Sequence, residues 1–175
     1  MHDATAAQTT LPDPQTDPFG ALERELRVLI RRAQSTASHT AARIHPELNA
    51  SAYPLLAHIA DNPGTRGSDL AAHFGVGRAT VSRQLSRLEA LGLVHRAVDP
   101  ADTRGQLITL TSDGAERFRR ARDARIGMLE GALADWEKAD VSQIAALLRL
   151  YSADVVTWLQ QTRSPVIAAD APAAS

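Results

Sequence analysis

The run SDLAAHFGVGRATVSRQLSRLEALGLVHRAVDPADTRGQLITLT, Ser68 to Thr111, constrains the fold more than any other part of the chain. Ser68 can cap a short helix to Phe74, Gly75 and Val76 supply a turn, and Arg78 to about Leu91 forms a second helix. Two helices joined by a glycine-containing turn make a helix-turn-helix candidate. Two β-prone runs follow at once. They flank Asp99 to Gly105, a loop with an arginine near its end, and so predict one small hairpin.

In the second helix of that pair Val81, Leu85 and Leu88 are spaced i, i+4, i+7 and share a face that should pack inward. The remaining surface presents Arg78, Ala79, Thr80, Ser82, Arg83, Ser86 and Arg87, with no carboxylate until Glu89. Such a face suits the major groove of double-stranded DNA, where arginine reads guanine bidentately and hydroxyls reach phosphates or base edges. The positive end of the helix dipole adds to this. An isolated stretch of this kind would read as a solvated face. The order of short helix, tight turn, cation-rich helix and hairpin favours DNA binding.

The rest of the chain is helical by pattern. Phe19, Leu22, Leu26, Leu29, Ile30, Ala33, Ala37, Ala41 and Ile44 recur at helical spacing until HPEL interrupts them. NASAYPLLAHIADNPG then predicts a short helix capped by Asn49 or Ser51. After the hairpin, a helix capped by Thr111 or Ser112 and a last one through Tyr151 and Trp158 complete the set. Residues 1–17 and 163–175 read as disordered tails. Hydrophobic residues are 44% of 175 but aromatics only 4%, which agrees with helices packed through alanine-sized contacts. The expected class is mainly α with a small β-hairpin wing.

Composition also narrows function. The formal net charge is −1, so attraction to DNA must come from local clustering. Lys138 is the only lysine, and no cysteine is present, which excludes disulfides and thiolate metal sites. No segment approaches a membrane span and the N-terminus lacks a signal pattern, so a cytoplasmic protein with no membrane partner is expected. No nucleophile elbow, phosphate-binding glycine loop or dinucleotide fingerprint points to an enzyme, and no cofactor is implied.

Ser68 to Gly114, above all LEALGLVHR, DPADTRG and LTSDG at their mutual spacing, resembles the multiple-antibiotic-resistance regulator (MarR) family of winged helix-turn-helix transcription factors. The resemblance implies a domain over 18–162, with the winged core at about 49–112 and dimerisation helices at about 18–45 and 112–162. It implies wing strands at Leu93 to Ala97 and Gln106 to Leu110, whose tip holds Arg104 into a minor groove. Asp102 would orient that guanidinium, whereas Asp99 reads as a turn residue. Three positions depart from the pattern: Gly77 replaces a hydroxyl cap, Gln84 an apolar residue, and Gly105 a second wing arginine.

The resemblance further implies a homodimer on a pseudopalindromic operator. Ala145, Leu148, Tyr151, Val155 and Trp158 are the expected seam. It also implies a repressor released by a small aromatic or phenolic effector, for which His39, Arg43, His45, Tyr53 and His58 are the candidates. Each of these has an ordinary structural reading as well. His39, His45 and His58 lack the spacing of a metal site, so none is expected. The alternative function is a nucleoid-associated or protein-interaction module that uses the winged helix without sequence-specific regulation.

Overall fold

The computed structural model describes residues 17–163, and the expected tails otherwise lie outside the described residues. The order of elements is α1 (Pro18–Ile44), α2 (Ala52–Asp61), β1 (Thr65–Arg66), α3 (Gly67–Phe74), α4 (Arg78–Ala90), β2 (Val94–Asp99), β3 (Asp102–Leu110), α5 (Ser112–Ala132) and α6 (Lys138–Arg163). The chain divides into two compact units, one ending at Gly127 and one beginning at Met128. Mainly helical architecture with a small wing is thus the observed class.

The first unit holds the hydrophobic core. Ala41 and Ile44 of α1, Leu55, Leu56 and Ile59 of α2, Leu70 of α3, Val81, Leu85 and Leu88 of α4, Val94 and Ile108 of the sheet and Phe118 of α5 pack in one cluster. Each element contributes only its inward stripe, so the polar faces stay outside. Toward its N-terminal end α1 leaves Phe19, Leu22, Leu29 and Ile30 exposed. That apolar stripe is real, but the single chain buries only its C-terminal end.

Capping differs from expectation in two places. Arg66, not Ser68, is the residue before α3, and it makes no side-chain cap bond; Ser68 Oγ instead donates to Asp69 Oδ1 at 3.2 Å. Ser51 precedes α2 without a capping bond, while Asn49 Oδ1 accepts from the Ser51 amide and hydroxyl at 3.2 and 2.7 Å. At α5 the open choice resolves to Thr111. Its hydroxyl accepts from the Gly114 amide at 2.9 Å and donates to the Gly92 carbonyl at 2.6 Å.

The sheet has three strands in the order β1-β3-β2, all antiparallel. The sequence pattern anticipates the hairpin but not β1, since two residues carry no periodicity. Both wing strands reach closer to the tip than expected, β2 to Asp99 and β3 from Asp102. The predicted loop from Asp99 to Gly105 therefore shrinks to a turn through Pro100 and Ala101. Thr103 to Gly105 are absorbed by a register shift, because Val98 pairs with Gln106 while Asp99 pairs with Asp102.

Geometry requires glycine at Gly75 and at Gly114. Gly75 closes α3 at φ 63°, the left-handed region that admits glycine without a steric cost. Gly114 lies where an added Cβ would sit 2.0 Å from the Leu93 carbonyl oxygen. Only glycine lets α5 begin that close to β2.

In the second unit, α6 exposes Ile144, Leu147, Leu148, Tyr151 and Trp158. Among the described residues of this helix Val155 is half-buried and the others are exposed. No helix among the described residues is long and apolar enough to cross a membrane.

Candidate nucleic-acid interface

The recognition surface begins with what α4 buries. Val81, Leu85 and Leu88 are 1, 3 and 1% exposed, which fixes the rotation of the helix. Arg78, Ala79, Ser82, Arg83, Ser86 and Arg87 are consequently exposed, and Thr80 is half-buried. Gly77 stands before the helix in an extended conformation and offers no side chain to its first amides, while its carbonyl accepts from the Thr80 amide at 2.9 Å.

Not every cation on α4 is equally available. Arg87 Nη2 donates to the Glu47 carbonyl oxygen at 2.8 Å and lies 3.3 Å from Glu47 Oε2. Arg87 therefore ties α4 to the loop before α2. Ser86 Oγ accepts from Arg96 Nη2 at 2.9 Å, and Arg96 Nε is 3.2 Å from Glu89 Oε2. This links α4 to β2 of the wing. Gln84, in its unusual polar position, donates from Nε2 to Ser51 Oγ at 2.9 Å.

Between α4 and the wing lies a cleft of about 470 Å³ lined by Arg66, Arg78, Ser82, Arg96, Asp102 and Gln106 among others. The sequence pattern does not mark Arg66 or Arg96, which only the fold brings to this cleft. Arg66 Nη2 donates to Asp99 Oδ2, and Arg66 Nη1 is 3.7 Å from Asp102 Oδ2. Asp99 is indeed a turn residue, since its Oδ1 accepts from the Ala101 amide at 2.8 Å, but at 5% exposed it is also a buried ion-pair partner. The Ala101 amide and then the Arg66 guanidinium hold the Asp99 carboxyl below the usual carboxylate range, against the opposing effect of burial. Arg104 lies in β3, within the register shift beside Asp102.

The candidate effector residues do not form one group. His39 and Arg43 are exposed on α1, and Arg43 lines a cleft of about 400 Å³ with Asp113, Arg117 and Arg120 that includes none of the other four. His45 Nδ1 accepts from the Glu47 amide at 3.2 Å. Tyr53 packs on Phe118 with ring centres 5.5 Å apart, and the Arg125 guanidinium lies 5.3 Å from the Tyr53 ring centre. His58 packs tilted against His73 with ring centres 4.1 Å apart and meets Phe74 edge-on at 5.8 Å. Burial, then repulsion from His73, lowers its pKa, with Asp61 opposing. Among the described residues no three or more His, Cys, Asp or Glu side chains gather as a metal site.

A polar helix face of arginines and hydroxyls, mounted on a helical core beside a hairpin, defines a winged helix-turn-helix DNA-binding protein. Residues 47–105 match the sequence pattern of the MarR family. The transcriptional regulator YxaD of Bacillus subtilis is 30% identical over 133 residues, covering 76% of this chain and 92% of that protein. The chain belongs to the MarR family of DNA-binding transcriptional regulators, which are not enzymes.

Solved structures agree on the fold. A MarR-family regulator of Listeria monocytogenes, crystallised with a 26mer DNA, superposes with a TM-score of 0.68 at 19% identity over 81% of this chain and 93% of its own. The PcaV regulator of Streptomyces coelicolor, crystallised with its natural ligand, superposes with a TM-score of 0.57 at 25% identity over 82% and 96%.

Proposed function

We propose that the protein is a homodimeric repressor that places α4 of each protomer in successive major grooves of a pseudopalindromic operator. Two-fold symmetry would set the recognition helices about one DNA turn, roughly 34 Å, apart. In this reading Arg78, Ala79, Thr80, Ser82 and Arg83 face base edges and phosphates. Arg104, with Asp102 beside it, enters the adjoining minor groove, and Arg87 takes a supporting place at the far end of α4. The observation that carries the reading is the outward face of α4, fixed by Val81, Leu85 and Leu88. The exposed apolar residues of α1 and α6 support the dimer.

A small aromatic or phenolic effector would release the operator by binding better to a conformation with wrongly spaced recognition helices. Of the candidates, Tyr53 has the best surroundings for such a ligand, with an aromatic neighbour in Phe118 and a cation in Arg125. Footprinting on DNA from upstream of the gene tests the reading. Two protected half-sites one turn apart are expected, and an evenly coated DNA would favour the nucleoid-associated alternative.

A further inference from the structure

We infer that Arg66 and Asp99 form a latch that fixes the wing tip relative to the recognition helix, so that both residues set DNA affinity without touching DNA. The inference rests on the wing entering DNA as proposed above. Arg66 is well placed for this work. It is the last residue of β1, paired in register with Leu107 of β3, and the residue immediately before α3. From that root its guanidinium reaches across the sheet to carboxylates at both ends of the hairpin turn, Asp99 closing β2 and Asp102 opening β3.

The tip needs such an anchor. The regular ladder ends at Val98 and Gln106, and the next pair, Asp99 with Asp102, follows a register shift that takes up Thr103 to Gly105. A bulge of this kind bends and loosens a ribbon beyond it. Asp99 answers with both oxygens: Oδ1 shapes the turn through the Ala101 amide, and Oδ2 binds Arg66. Arg66 also lines the cleft that separates the wing from Arg78 of α4. Its charge is matched by two carboxylates, so neutralising a phosphate is a poor account of why it is there. Arg66 is thus a positioning residue.

The latch makes a prediction opposite in sign to simple electrostatics. Asp99→Asn removes a negative charge from the wing, keeps an oxygen for the Ala101 amide and breaks the ion pair. Charge alone predicts tighter binding. The latch predicts weaker binding.

The experiment compares full-length wild type, Arg66→Gln, Arg66→Lys, Asp99→Asn and the Arg66→Gln/Asp99→Asn double variant on one operator across a salt series. Thermal melts and hydrogen exchange of the hairpin amides are followed in parallel. Arg66→Gln and Asp99→Asn should each lose about tenfold in affinity, in the range seen for coupled side-chain pairs, and the double should be no worse than the weaker of these two. The salt slope should be unchanged, Arg66→Lys should recover part of the affinity, and the Ala101 amide should exchange faster in both Gln and Asn variants. Asp99→Asn binding as tightly as wild type or tighter overturns the latch. So does a slope reduced by about 0.9 in Arg66→Gln, the mark of a lost phosphate contact. If wild type binds no DNA, the DNA-binding reading fails first. Hairpin exchange then decides the latch alone, faster exchange supporting it and unchanged exchange overturning it.

Discussion

Arg87 on the recognition helix donates to the Glu47 carbonyl oxygen at 2.8 Å and faces the Glu47 carboxylate at 3.3 Å. Arg83, one turn earlier on α4 and exposed, makes no such tie to another element among the described residues. The two arginines therefore differ in role although the sequence presents them alike. Arg83→Ala should cost about 1–3 kcal/mol of operator binding and relax base preference at one position in each half-site. Arg87→Ala should leave base preference unchanged and cost about 1 kcal/mol or less of stability, as an exposed pair does. Binding assays on a panel of single-base operator variants, with chemical melts of both proteins, check this pair of outcomes.

Acid should destabilise the protein through His58. Its neighbours are His73 on α3 and Asp61 on α2, and burial together with His73 lowers its folded-state pKa from 6.5. Between that lowered value and 6.5 the unfolded chain holds a proton that the folded one does not. The stabilising contribution is therefore complete above about pH 6.5 and is lost as pH falls through the folded-state value. Urea melts from pH 7.5 down to pH 5 should show this fall, and His58→Phe should flatten it. An equally steep fall in the variant would move the cause to another group.

The seam of the dimer can be tested at Trp158, which is 61% exposed in the single chain. Burying an indole is worth several times the energy of one methylene, whereas a buried unpaired carboxylate is strongly unfavourable. Trp158→Glu should elute as a monomer on a sizing column and lose operator binding with it. A variant that stays dimeric would place the seam on another part of α1 or α6.

Much of this was legible in the sequence because the signals were local. The spacing of Val81, Leu85 and Leu88 predicts the buried face of α4, and Gly75 predicts the turn before it. The family resemblance brought Asp102 and Arg104 into view. What was not legible depends on partners distant in the chain. Arg66 and Asp99 are 33 residues apart, and β1 is two residues long, so neither leaves a periodic trace. Ser68 has the right chemistry for a cap, but the helix starts at Gly67 and the hydroxyl turns to Asp69 instead. The resemblance implies an effector cleft without fixing the contacts of its candidate residues, and the fold sets Tyr53 against Phe118 and His58 against His73.

The most direct test is fluorescence anisotropy of the purified protein on DNA from upstream of its own gene, against scrambled DNA of equal length, over a salt series. Tight binding to the upstream DNA, far weaker binding to the scrambled one and a steep salt dependence are predicted. Weak binding of equal strength to both would contradict sequence-specific regulation by this α4 surface.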